Sequence, residues 1–318
     1  MSKLAELLNI DPEKETEKIV DSLRENLSKV LKKRGAVIGI SGGIDSSLVL
    51  ALSVKAFGPE KVLGVMLPEK ESSKDNFALA RKLCKTFNVN YIIEDITGSL
   101  EGLGCYRRRD EEIKKLYPDY DSSYKSKIIL PNNLMETGSL NIFQIEIISP
   151  ECEVNKVRLP LKEYLGIVAA SNLKQRTRMS MLYYHAEKRN YAVIGTGNKN
   201  EHELGFFVKY GDGGADIKPI AHLFKSQVYQ LAENLGVPSG ILERTPTTDT
   251  YSAEQTQEDF FFRLPFEILD KIWLGWGMKM AENEIADDLG LTSDQIKNVI
   301  NDIVNKKRTT EYLRMNPI

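Results

Sequence analysis

"VIGISGGIDSSLVLAL", residues 37–52, runs an uninterrupted apolar stretch into Ser41, Gly42, Gly43, Ile44, Asp45 and Ser46 before a helix begins. A buried strand that ends in Ser-Gly-Gly and turns directly into a helix aims several backbone N–H groups at one point, and glycine lets an anion approach without interference from a Cβ. That geometry suits a phosphate. Ser41, Ser46 and Ser47 add hydroxyl donors. Asp45 is an acceptor that would repel a bare phosphate, so its presence makes sense with a divalent cation, Mg2+, between the two. No lysine follows the turn, which separates it from the Walker pattern GxxxxGK followed by Ser or Thr. On these six residues alone the alternative is a plain strand-to-helix turn with Asp45 as the helix cap.

Working outward, "GAVIGI" (35–40), "KVLGVMLP" (61–68), "VNYIIEDI" (89–96) and "YAVIGTG" (191–197) are short apolar runs, and helical patterns at 46–56 and 72–87 separate the first three. Such alternation predicts an α/β fold with parallel strands and crossover helices. Ligands of open parallel sheets sit beyond the carboxyl ends of the strands, so the residues after 40 and after 195 are expected to face one crevice. Before the first strand, Ile19, Leu23, Leu27 and Leu31 form the stripe of an amphipathic helix within residues 12–34, with Asp11 ahead of Pro12 as its cap. Between Ile96 and Asn172 the pattern changes. "RRRDEEIKKLYPDYDSSYKSK" is polar and "SLNIFQIEIISPECEVNKVRL" is rich in β-formers around Pro150, which reads as an inserted, hairpin-containing excursion. From Pro265 the chain reads as helices, with Thr292 and Gln295 placed to form a capping box. The expected organisation is an N-terminal helix (1–34), an α/β domain (35–264) with an insertion at about 98–168, and a helical C-terminal segment of the same domain (265–318).

Bulk composition narrows the partners. With 43 Lys plus Arg against 45 Asp plus Glu, the net charge of -2 supports neither nucleic acid nor a membrane surface as partner, so any anion site is local. Cys84, Cys105 and Cys152 lie far apart without a CxxC pair, and His185, His202 and His222 have no metal-ligand spacing, which argues for packing roles and a reducing compartment. The apolar segment 36–57 is interrupted by Gly, Ser and Asp45, and no apolar targeting run follows Met1; a cytoplasmic protein is expected.

The SGGIDS turn resembles the pyrophosphate-binding loop of the N-type ATP pyrophosphatases, which cleave ATP between its α and β phosphates. Together with "NLKQRTRMSMLYY" (172–184) and "GTGNKNEHELGFFVKYGDGGADIKPIAHLFKSQV" (195–228), the chain resembles the ammonia-dependent NAD synthetase family, over residues 35–97 and roughly 170–260. The resemblance implies a Rossmann-like open parallel sheet flanked by helices, of the adenine nucleotide α-hydrolase type. It implies that Gly39, Ile40, Ser41, Gly42, Gly43, Ile44, Asp45 and Ser46 hold ATP, with Thr196, Lys225 and Thr247 as further contacts. Asp45 and Glu201 would bind Mg2+, and Arg176, Lys209 and Asp216 would contact deamido-NAD. Asp45, Lys225 and Asp212 would be catalytic, Asp212 by steering ammonium and taking its proton. The implied reaction amidates deamido-NAD with ammonia through an adenylated intermediate, releasing AMP and pyrophosphate. A homodimer is implied, as is free ammonia or a separate glutaminase, since the short N-terminal helix leaves no room for a glutamine-hydrolysing domain.

The lesser alternatives are that Arg176 and Lys209 are solvated charges and that Glu201 caps the helix after Asn198. Adjacent Phe206 and Phe207 point to opposite sides of an extended segment, one for the core and one to stack on a ring. The sequence also departs from the family. Its usual C-terminal His-Lys pair is Lys306 and Lys307 here, keeping a charge for substrate but no imidazole, and Gln257 stands where Asp is common. The excursion is tens of residues longer than the family's connection, which leaves open a paralogous ligase acting on a different carboxylic acid.

Overall fold

In the computed structural model, which describes residues 2–130, 134, 143–248 and 250–317, strand β1 (Ala36–Gly39) pairs in parallel with β2 (Val62–Met66) on one side and β7 (Ala192–Val193) on the other. β3 (Asn90–Ile93) extends the sheet beyond β2, giving the order β3-β2-β1-β7. The strand order reverses at β1, so the crevice at the carboxyl ends of β1 and β7 is the sheet's switch point. The expected α/β sheet and its four strands are present.

The strand sequences follow from what covers them. Ala36, Val37 and Ile38 are wholly buried because helices lie on both faces, which is why β1 is continuously apolar rather than alternating. Ala36 and Ile38 pack with Leu48, Leu52, Leu23 and Val228 on one face; Val37 meets Val65, Leu100 and Ala186 on the other. Helix α3 (Ile44–Phe57) is enclosed on nearly every side, Ser46 to Ser53 being buried without a break. Its neighbours are α2 (Pro12–Glu25), capped by Asp11 as expected, and α9 (Lys225–Asn234).

The excursion is built differently from its reading. Helices α5 (Thr97–Gly102) and α6 (Cys105–Lys114) lead into β4 (Lys125–Ile129), β5 (Gln144–Ile148) and β6 (Val154–Arg158), a separate antiparallel sheet in that order. The hairpin around Pro150 is there, but the polar "YKSK" stretch also supplies a strand. Its alternate residues Ser126 and Ile128 are buried against Tyr120, Ile145 and Ile147, so half of a polar-looking segment faces a core. The excursion ends at Pro160, not near 168, because α7 (Leu161–Arg189) starts there and runs 29 residues, about 44 Å. Part of the β4–β5 connection lies outside the described residues.

The C-terminal helices α11 (Phe266–Gly277), α12 (Glu282–Leu289) and α13 (Ser293–Thr309) close a second core around Trp273, Ile285 and Val299. The Thr292–Gln295 capping box forms. A helix absent from the sequence reading, α1 (Lys3–Leu8), buries Leu4 and Leu8 in that core, and Asp288 accepts the amides of Lys3 (2.7 Å) and Leu4 (2.9 Å) at its start. Among the described residues, no helix is long and apolar enough to cross a membrane.

Candidate active site

At the end of β1 the chain needs glycine for a steric reason. Gly42 sits at φ +80°, and a Cβ there would lie 2.4 Å from the carbonyl oxygen of Asn76. Gly43 O accepts from the hydroxyls of Ser46 (3.0 Å) and Ser47 (2.8 Å), and Ser41 Oγ accepts from Gly43 N (3.2 Å). Ser47 is fully buried and serves the turn, not a ligand. The first amides of α3 have no partners within the helix and face the cleft, the arrangement that attracts an anion.

Asp45, on the first turn of α3, is held from two directions. Its Oδ2 pairs with Lys225 Nζ at 2.5 Å and its Oδ1 accepts from Asn198 Nδ2 at 2.8 Å. Asn198 precedes α8 (Lys199–Leu204); its side-chain oxygen accepts from Glu201 N (3.0 Å), and its own amide donates to Glu201 Oε2 (3.2 Å). Glu201 therefore does cap this helix, while its Oε1 accepts from Gln257 Nε2 at 3.2 Å. Asn198 thus joins the two carboxylates proposed from sequence. Burial and then the charge of Asp45 push Glu201 up to about 8. Burial works to lower Lys225, but the carboxylates of Asp45 and Glu201 outweigh it and hold the ammonium above its ordinary value.

Buried behind this pair is a set of residues that sequence reasoning missed. Asn200 Oδ1 accepts from Lys225 N (3.0 Å), and Asn200 Nδ2 donates to Asp270 Oδ1 (2.6 Å). Asp270 Oδ2 accepts from the amide (2.9 Å) and hydroxyl (2.7 Å) of Ser226. Asp270 is wholly buried on α11 and fixes the start of α9, and with it Lys225. A second missed network joins Lys174 to Glu69 (3.0 Å) and Glu71 (2.7 Å), tying α7 to the loop after β2. For Asp270 the sequence signal was a charge in an apolar helix, which periodicity alone reads as noise; Lys174, among polar neighbours, gave none.

The cleft above these groups measures about 840 Å3, within the range of small-molecule sites. Gly39 to Ser46, Thr196, Glu201, Thr247, Arg176, Lys209 and Asp212 all line it, bringing the segments after 40 and 195 together as expected. Four expected residues are not on its wall. Lys225 is fully buried behind Asp45. Asp216 is spent on structure, accepting from Val193 N (2.8 Å) and Tyr183 OH (3.2 Å). Lys306 bonds Asp302 and Phe261 O, both at 2.6 Å, and Lys307 pairs with Glu203 at 2.5 Å, because α13 packs them against internal acceptors. On the wall, Lys209 Nζ turns to the carbonyls of Tyr312 (3.0 Å) and Met315 (3.4 Å), and Arg176 Nε reaches Lys209 O (3.4 Å). Asp212 accepts from Val208 N (2.8 Å) and is exposed on the wall. Phe206 is the core member of the aromatic pair, packed on Phe261 at 4.8 Å, while Phe207 stacks with His202 at 6.0 Å.

Two carboxylates without sulfur or imidazole suit a hard divalent cation. Gln257 Oε1, on the amide that touches Glu201, is buried with no partner, a further oxygen beside the pair. The chemistry of this donor set fits Mg2+, which Asp45 and Glu201 would hold.

A switch-point cleft floored by a glycine turn, a helix N-terminus and paired carboxylates defines a nucleotide-binding α/β protein. Known proteins narrow the class. The NAD synthase family model matches residues 15–116 and 116–317. The chain is 47% identical over 313 residues to the NH(3)-dependent NAD(+) synthetase of Rhizobium meliloti (strain 1021), covering 98% of this chain and 93% of that protein. It is 45% identical over 312 residues to the protein of the same name from Mesorhizobium japonicum, covering 98% of each. Among solved structures it is similar to NMN synthetase from Francisella tularensis (TM-score 0.68, 22% identity, 98% of both chains). It is also similar to NH3-dependent NAD synthetase from Campylobacter jejuni (TM-score 0.63, 23% identity, 97% and 99% of the chains). The chain belongs to the NAD synthase family.

Proposed function

We propose that the chain amidates deamido-NAD to NAD+ at the expense of ATP, with ammonia as the nitrogen donor. The carboxylate of deamido-NAD attacks the α-phosphorus of ATP, the bond to the β-phosphate oxygen breaks and pyrophosphate leaves. Ammonia then attacks the adenylated carboxyl carbon, loses a proton and displaces AMP. The observation that supports this most directly is the Asp45–Asn198–Glu201 bridge at the foot of the glycine turn, in a chain 47% identical to an ammonia-dependent NAD synthetase.

The protein's part is positioning and charge. The turn amides and the α3 N-terminus hold phosphate oxygens; Thr196 and Thr247, which also line the cleft, add contacts. Mg2+ held by Asp45 and Glu201 supplies positive charge that offsets charge growing on the phosphates. Lys225, buried against Asp45, holds that carboxylate in place. Asp212, which lines the cleft, takes the proton of ammonium. Arg176 and Lys209 face the acid substrate's anionic groups, and Asp216 acts indirectly by holding β7. Lys306 and Lys307 are left without a role in the cleft of one chain. A homodimer, and ammonia delivered free or by a separate glutaminase, complete the reading.

The test is incubation with ATP, Mg2+, ammonium chloride and deamido-NAD, with nicotinic acid mononucleotide offered in a parallel reaction. Equal amounts of NAD+, AMP and pyrophosphate are expected from deamido-NAD. Release of ADP, or preference for the mononucleotide, would overturn the proposal.

A further inference from the structure

The inserted sheet has an open edge, and that edge is occupied by the nucleotide cleft's own wall. In the order β4-β5-β6, β4 pairs among the described strands with β5 alone, so its outward N–H and C=O groups need other partners. Among the described residues, the distant segment 252–255 provides partners for three of them. Ser126 N donates to Ser252 Oγ (2.9 Å), Ala253 N donates to Ser126 O (3.2 Å), and Gln255 Nε2 donates to Ile128 O (2.7 Å). Gln255 is 4% exposed, and Tyr251 beside it is buried in the inserted sheet's own core with Ile128, Ile145 and Ile147.

The same segment folds back as a short hairpin. Thr248 N donates to Gln255 O (2.9 Å) and Gln257 N to Pro246 O (3.0 Å), around an antiparallel bridge of Thr247 and Thr256. Its inner side is cleft: Thr247, Thr248 and Gln257 line it, and Gln257 reaches Glu201 Oε1 at 3.2 Å. Hydrogen bonds and the hairpin's own backbone therefore link the edge of β4 to a carboxylate of the carboxylate pair. A hairpin this rich in Thr, Ser and Gln buries little of its own apolar surface, so a free one would be ordered only when ligand arrives, and affinity would fall by that cost.

We infer that the β4–β6 sheet is a dock that orders this hairpin before nucleotide binds, and that Gln255 is its positioning residue, acting on ATP through Thr247 and Gln257 without touching it. The inference rests on the reading of the cleft as the ATP site.

Gln255→Leu, close in volume but without the donor, and Ser252→Ala, which removes an independent bond, test it. Both are expected to raise the KM for ATP about tenfold, the scale of one lost hydrogen bond, with the KM for deamido-NAD and kcat within twofold. Hydrogen exchange on the ligand-free protein gives a readout that needs no turnover. The amides of Thr248, Ala253 and Gln257 should be protected in the native chain and lose protection in both variants, while amides pairing β4 with β5 keep theirs. A purely structural role would instead lower the melting temperature and leave the KM for ATP within twofold, which would overturn the inference. So would native-chain amides at these positions exchanging as freely as an open loop, a result available even if neither variant folds. Absence of ATP turnover in the native chain would sink the assigned reaction alone, since the exchange experiment still decides the docking.

Discussion

Asn198 donates to Asp45 Oδ1 at 2.8 Å and accepts from the amide of Glu201 at 3.0 Å, so one carboxamide sets how the two acidic residues of the cleft face each other. The sequence marks Asp45 and Glu201 as a pair 156 positions apart; the bridge that makes them a pair is a helix-capping asparagine. Groups that orient metal ligands typically cost ten- to a hundredfold in affinity or activity when removed. Asn198→Ala should therefore raise the Mg2+ concentration for half-maximal activity by about that factor and lower stability by about 1 kcal/mol through loss of the cap. Titrating activity against Mg2+ and recording thermal melts checks both; an unchanged Mg2+ requirement would mean that Asn198 serves only the helix.

Protonation of Glu201 gives the pair a pH signature. Its carboxyl is pushed up to about 8 by burial and by Asp45, so without metal the folded chain holds a proton there that the unfolded chain has released above its ordinary value of 4.5. Folded binds more than unfolded in that window, so this group's contribution to stability falls as pH rises from about 4.5 to 8. A cation must displace the proton, and its binding strengthens with pH over the same range. Mg2+ should raise the melting temperature more at pH 8 than at pH 6, and Glu201→Gln should abolish that difference. An equal shift at both values would contradict the burial of this carboxyl.

Much of this was legible in residues 37–52, because a parallel strand covered on both faces must be apolar throughout and a phosphate turn must be glycine. The Gly42 prediction is correspondingly sharp. A methyl group at φ +80° would meet Asn76 O at 2.4 Å, backbone against backbone, so Gly42→Ala should cost about 1–3 kcal/mol and open the turn. Gly98→Ala is the control: inside α5, with nothing within 4 Å of the new Cβ, it should be neutral or stabilising by about 0.5–1 kcal/mol. ATP binding by calorimetry should be lost in the first and kept in the second.

What the sequence hid was the function of polar residues whose partners are remote. Lys306 and Lys307 stand where the family has its C-terminal His-Lys pair, and a sequence shows no acceptor for their charges; folded, they meet Asp302 and Glu203. Asp216 looks like a substrate contact and holds Val193 N. The strand β4 was hidden for a related reason, since its polar residues face a core on one side and an edge partner on the other.

Asp270 is the clearest case of such a residue and yields a prediction that links stability to the site. It is wholly buried, accepts from Asn200 Nδ2 and from both the amide and hydroxyl of Ser226, and through Asn200 supports the backbone of Lys225. Asp270→Ala would leave the buried Asn200 amide and the partly buried amide and hydroxyl of Ser226 without their acceptor, at about 1–3 kcal/mol for a donor that water cannot reach. The start of α9 would shift to find partners, and Lys225 would move with it, loosening the ammonium from Asp45. The variant should therefore lose about 3 kcal/mol or more in chemical denaturation and, under conditions where it is still folded, lose kcat by more than tenfold. Deamido-NAD affinity should change far less, because Arg176 and Lys209 stand on other elements. Equal losses in kcat and in binding of the acid substrate would instead indicate general collapse of the cleft, and would disconnect Asp270 from Lys225.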